Sequence, residues 1–277
     1  CSYRYHLDLH SETLSFPTRR ASDLYELWKS DGTEAGTVMV KDIYPGGSSY
    51  PRDLTAINGT LYFRAYDGTH GYELWKSDGT ELGTVMVKDI QTGDPYASSY
   101  PCYFATMDGT LYFQADDGTN GDELWKSDGT EAGTVMVKDI CPGGEWDSSI
   151  PSYLRVMDGA LYFQAADGTH GYELWKSDGT AAGTVMVKDI DTLSSSYPSY
   201  LTDINGTLYF QADDGTHGDE LWKSDGTGAG TVMVKDIYPG DEWDSSNPYN
   251  FMDVDGALYF RAKDGTHGAE LWKSDGT

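Results

Sequence analysis

Glu73-Leu74-Trp75-Lys76-Ser77-Asp78-Gly79-Thr80 is one of six unchanged copies of the same octet. The others are Glu26–Thr33, Glu123–Thr130, Glu173–Thr180, Glu220–Thr227 and Glu270–Thr277. Successive octet tryptophans stand 47, 50, 50, 47 and 50 residues apart. A fixed period of that length marks supersecondary units that bury their faces only against neighbours, so one repeat decides the fold. The same uniformity bears on function: a catalytic site needs unlike residues in unlike roles, and near-identical copies do not readily supply them.

Upstream of the octet, Leu54–Ile57 is followed by Asn58-Gly59, and the equivalent pairs are Asp108-Gly109, Asp158-Gly159, Asn205-Gly206 and Asp255-Gly256. Asn-Gly or Asp-Gly between hydrophobic runs predicts a two-residue type I′ hairpin, which needs positive φ at both positions. Leu61-Tyr62-Phe63 is then a second strand, Asp67–Gly71 a loop, Glu73–Ser77 a third strand and Val85-Met86-Val87 a fourth. Four short antiparallel strands per repeat are the arithmetic of a β-propeller blade. A β-solenoid has no use for I′ hairpins, and a sandwich would leave one face of each strand polar. Leu-Tyr-Phe and Val-Met-Val, apolar on both faces, suit blades packed on both sides. The expected fold is all-β, a propeller of four-stranded antiparallel blades, with about five blades. Val38–Ile43 could complete the last blade beside Glu270–Ser274 and close the ring. Ending within a repeat points instead to a piece of a longer protein.

The net charge is −26. Phosphate backbones and anionic membrane surfaces would be repelled, which argues against nucleic acid and against electrostatic membrane binding. No apolar run of 18 residues suggests a membrane span. The charge suits a secreted or cell-surface protein in screening salt. Cys1, Cys102 and Cys141 follow no metal or redox spacing and read as incidental thiols. Residues 1–23 form a separate leader: Arg4, Arg19 and Arg20 balance Asp8, Glu12 and Asp23, so the whole net charge lies in the repeat domain, 24–277. Leu14–Leu24 resembles a translated sequencing adapter, and the alternative is a native linker.

The octet resembles the signature of the bacterial ELWxxDGT repeat family over residues 24–277. That resemblance implies a secreted or surface protein with propeller-like repeats and no established enzymatic activity, and it brings no catalytic residues. Ser77–Thr80 is also similar to the Asp-box of sialidase-type propellers, but Ser, Asp and Gly are adjacent here rather than separated, so sialidase chemistry does not follow.

Three groups of residues are candidates for chemistry. Asp67, Glu73 and Asp78, with Asp117, Glu123 and Asp128 in the next repeat, are oxygen donors of the kind Ca²⁺ takes; the other reading is turn chemistry, each Asp bonding its own backbone before Gly. His70, His170, His217 and His267 share a loop position that Asn120 fills in one repeat, which favours loop-shaping hydrogen bonds over zinc. The connector into each repeat ends in Ser-Ser-x-Pro but varies before it. Two copies carry Glu145-Trp146-Asp147 and Glu242-Trp243-Asp244. A loop Trp flanked by acids suits a sugar ring, with a hydrophobic plug over a blade edge as the rival. Lys76 and Lys88 are expected to pair with surface acids. The leading expectation is a non-enzymatic module binding carbohydrate or protein at the connectors. The alternatives are a structural surface repeat without ligand and a propeller piece of a larger extracellular hydrolase.

Overall fold

The computed structural model describes residues 25–93, 96–144, 147–240 and 243–277. A short pair, β1 (Leu27–Lys29) and β2 (Val38–Lys41), comes first. The first complete blade is β3 (Arg52–Ile57), β4 (Thr60–Tyr66), β5 (Tyr72–Ser77) and β6 (Val85–Lys88). The second is β7 (Cys102–Met107), β8 (Thr110–Asp116), β9 (Asp122–Ser127) and β10 (Val135–Lys138). The third is β11 (Ser152–Met157), β12 (Ala160–Ala166), β13 (Tyr172–Ser177) and β14 (Val185–Lys188). The fourth is β15 (Ser199–Ile204), β16 (Thr207–Asp213), β17 (Asp219–Ser224) and β18 (Val232–Lys235). A three-stranded sheet, β19 (Tyr249–Val254), β20 (Ala257–Lys263) and β21 (Ala269–Ser274), comes last. Every sheet is an antiparallel meander in chain order, so the fold is the expected propeller of four-stranded blades.

The hairpins form as the dipeptides require. Asn58 and Gly59 take φ of 49° and 81°, and the four equivalent pairs do the same. First strands of successive blades (β3, β7, β11, β15, β19) lie beside one another on the inside of the arc. Second and third strands carry the core. One cluster joins Leu74, Val87 and Ile90 of the first blade to Leu111, Phe113 and Trp125 of the second, and the pattern repeats along the chain. Each buried Leu or Phe contributes about 1.5–3 kcal/mol, so blade faces dominate the stability. The fourth strand departs from expectation: its first Val (Val85, Val135, Val185, Val232) stays exposed, because this strand is the outer edge of the blade.

The arc stays open. Among the described residues, Val38–Lys41 pairs with β1, and β21 has no fourth strand beside it. Closure through Val38–Ile43 therefore does not occur; a hairpin partner close in sequence costs less loop entropy than one at the far end of the chain. At the ends, residues that the inner blades bury are left in solvent. Leu271 is 76 % exposed, whereas Leu74, Leu124, Leu174 and Leu221 are fully buried. Trp28 is 50 % exposed, whereas Trp75, Trp125, Trp175 and Trp222 are buried.

Candidate functional site

Each position of the octet has a structural task. In the second blade, Leu124 and Trp125 enter the inter-blade core. Asp128 Oδ1 accepts from the Thr130 amide and hydroxyl, and the Thr130 hydroxyl accepts from the Gly133 amide. Ser127 and Thr134 join their hydroxyls at 2.7 Å. Gly129 sits at φ +87°, and a Cβ there would lie 2.2 Å from the Tyr62 hydroxyl of the preceding blade. Its carbonyl accepts from Lys76 Nζ, again from that blade. Lys88 reaches the Thr134 carbonyl at 2.8 Å and lies 5.8 Å from the Trp125 ring centroid. The lysines thus clamp neighbouring blades instead of pairing with surface acids: Lys76 finds a fixed carbonyl on the next blade, and Lys88 a carbonyl and a ring face.

The carboxylates proposed for calcium are separated by the strand between them. Glu73 is the second residue of β5 and Asp78 follows its end, so five residues of extended chain hold them roughly 16 Å apart. The same geometry separates Glu123 from Asp128 along β9. Each acid is also already engaged. Asp67 Oδ1 accepts the amides of Thr69 and His70, and Oδ2 meets His70 Nδ1 at 2.7 Å. Asn120 makes the same bond to Asp117 through Nδ2, which explains how Asn replaces His at this position. Among the described residues, no three His, Cys, Asp or Glu side chains gather as a metal site. Of the two readings, these bonds favour turn chemistry over calcium.

Glu73 and Glu123 have a different role. Glu73 is fully buried and accepts from the Ile90 amide, the Ser99 amide and the Ser99 hydroxyl. Glu123 holds Ile140 and Ser149 in the same way. The first connector serine instead accepts from the strand, Ser98 Oγ from the Tyr72 amide. The buried Glu latches the constant Ser-Ser end of the connector, and the unlatched part before it is the part that varies. Burial pushes the carboxyls of Glu73, Glu123 and Glu173 up to about 7, outweighing the donors that pull them down.

Of the connector residues proposed for ligand contact, Glu145, Trp146 and Glu242 lie outside the described residues. Trp243 is 82 % exposed, which overturns the plug reading for that residue. The carboxylates of Asp147 and Asp244 fold back over Gly143 and Gly240 of their own connectors.

The structure adds a surface that the sequence reading missed. The register of every first strand slips just after its start, between Cys102 and Ala105 in β7, for example. At this bulge Asp53, Tyr103, Tyr153, Tyr200 and Asn250 take φ between 55° and 58°. Such values are uncommon for residues other than glycine and cost about 1–3 kcal/mol each. The bulge turns Tyr103, Tyr153 and Tyr200 onto the inner surface, where they stand half-exposed. Ring centroids are 6.3 Å apart for Tyr103 and Tyr153, 5.9 Å for Tyr153 and Tyr200, and 6.1 Å for Tyr200 and Tyr249. A cavity of about 430 Å³ runs along this row, with Arg155, Thr202 and Asn250 on its walls. A second cavity continues it past Asp53 and Thr55, sharing Tyr103 and Phe104. The five repeated positions, two residues after each connector proline, are the signal that could have found it.

Solved structures share this architecture. A puromycin hydrolase aligns with TM-score 0.56 at 14 % identity, over 87 % of this chain and 38 % of its own. Prolyl oligopeptidase B from Galerina marginata, bound to a macrocyclization substrate, aligns with TM-score 0.53 at 13 % identity, over 89 % of this chain and 37 % of its own. The chain spans less than two-fifths of either protein. At such identity the likeness is one of fold, and these are propeller-type proteins. No family model and no curated protein matches the chain.

Proposed function

We propose that the chain is a non-catalytic binding module, secreted or displayed at a cell surface, that holds an uncharged carbohydrate chain along the inner tyrosine row. The observation that carries the reading is the row itself: Tyr103, Tyr153 and Tyr200, set at near-equal steps by a strained bulge repeated in every blade. Aromatic faces pack on sugar rings, while the phenol, Arg155, Thr202 and Asn250 supply hydrogen bonds to hydroxyls. The net charge of −26 disfavours anionic polymers. The resemblance to the ELWxxDGT repeats supports a surface location. Trp243, exposed on a connector that leads into β19, is a second contact on the same reading.

The test is depletion of the protein from solution by insoluble neutral polysaccharides (glucan, mannan, xylan and chitin). The chain itself shows which substitution the backbone tolerates, because Asn250 occupies the tyrosine position in β19. Tyr153→Asn with Tyr200→Asn is expected to weaken retention about tenfold or more, from the loss of two stacking contacts, with the thermal midpoint nearly unchanged. Equal retention of the double variant and the parent would remove the row from the binding surface.

A further inference from the structure

Where blades are nearly identical, departures from the repeat carry information, and they concentrate at the connector end of the first complete blade. Tyr44, Tyr66, Tyr72 and Tyr100 meet there in series, with ring centroids 5.3 Å, 5.3 Å and 5.5 Å apart. Tyr44 meets Tyr66 edge to face, and Tyr72 stacks on Tyr100. Tyr96 stands 74 % exposed on the connector beside them. Burial, then the neighbours Tyr44, Tyr96, Asp67 and Tyr72, push the Tyr66 hydroxyl up. The four positions of the series hold Gln91, Asp116, Asp122 and Ile150 in the second blade. In the third they hold Cys141, Ala166, Tyr172 and Tyr197, and in the fourth Asp191, Asp213, Asp219 and Asn247. Trp243 shares the connector position of Tyr96, but its blade is the fourth, where the series has no aromatic member.

We propose that this tyrosine surface docks a basic polypeptide segment, whose arginine or lysine side chains lie on the exposed ring faces. Basic groups of the chain itself already use the mode. Lys263, the counterpart of Tyr66 in the last sheet, lies 5.5 Å from the ring centroid of Tyr238, the counterpart of Tyr44. Arg64 lies 5.9 Å from the Tyr72 centroid, with its charge spent on Asp53 at 3.1 Å. A cation over an aromatic face is attracted by the ring quadrupole, most strongly where water is displaced. Tyrosine also brings large, rigid contact area at low entropic cost.

Charge selects the partner. The connectors on either side of this blade, residues 42–51 and 89–101, contain no Lys or Arg, and neither does the loop 67–71. Asp67 follows Tyr66 directly, and the Asp116 amide donates to the Ser99 carbonyl next to Tyr100. A net charge of −26 steers basic segments in and turns anionic ones away. The surface shares no residue with the inner row, so each can be lost without the other.

The test titrates the full chain with three synthetic peptides of equal length, rich in arginine, lysine or glutamine, followed by fluorescence anisotropy. Saturable binding of the arginine and lysine peptides is expected, with none of the glutamine peptide. The fourth blade supplies the variant, because Asp219 and Asn247 stand there in place of the stacked pair, and Asn247 keeps the backbone of Tyr100, φ 45° against 44°. Tyr72→Asp with Tyr100→Asn is expected to weaken basic-peptide binding about fivefold or more, through two lost ring faces. The variant is more acidic than the parent, so attraction by charge alone predicts equal or tighter binding, and that result overturns the proposal. Tyr96→Ser changes one exposed side chain and is expected to weaken binding with an unshifted melt. Failure of the parent to bind either basic peptide overturns the proposal, as does equal binding of the glutamine peptide. Tyr153→Asn with Tyr200→Asn is expected to bind the basic peptides as the parent does. A loss in that variant alone would move the peptide to the inner row and overturn the proposal as well.

Discussion

Glu123 shows what a single buried acid does for this fold. Its carboxyl sits at about 7 in the folded chain, raised by burial from an ordinary value near 4.5, as do those of Glu73 and Glu173. A group raised on folding contributes stability that is fully present below its unfolded value and lost as pH rises through its folded value. The thermal midpoint is therefore expected to fall as pH rises from about 4.5 to about 7, most steeply between those two values, and to level off above them, in melts at constant high salt. Glu123→Gln removes one of these contributions, to which Glu220, raised by burial in the same latch, also belongs, and is expected to flatten that slope. An unchanged slope would mean that the latch is ionised throughout. None of this was visible in the octet. Glu before Leu-Trp reads as one of the oxygen donors for a cation until the Ser-Ser of the connector is seen folded onto it.

Individual elements were legible to differing degrees. The hairpin dipeptides and strand runs placed all four strands, because turn chemistry and apolar patterning are local properties. The tyrosine row was missed, since a bulge shifts the side-chain alternation by one residue and its trace is a repeated position after each connector proline, not an apolar period. The lysine clamps were missed because their acceptors are carbonyls about 50 residues away on the next blade. Lys88→Met keeps the stem and removes the charge from the Thr134 carbonyl and the Trp125 face. The expected loss is about 1–2 kcal/mol, or roughly 2–8 °C in a calorimetric melt. Lys235, over Trp272 at the open end, is the internal comparison, and its substitution is expected to cost less.

For the whole molecule, 26 net negative charges spread along an open arc make self-repulsion the dominant long-range force. Added monovalent salt is expected to raise the thermal midpoint by screening. The acids of the turns are spent on their own loops, so Ca²⁺, Mg²⁺ and chelator are expected to give superimposable melts at equal ionic strength. A rise specific to Ca²⁺ would reverse the assignment of those turns. The latch, turn and clamp of each blade also have a genealogical consequence. Each blade exchanges them only with its immediate neighbours, in identical form. A recombination that gains or drops one period thus leaves every remaining joint as it was. Length becomes a quantity that descent can tune like a ruler, each added repeat bringing one more place on the inner row and no joint that must be invented.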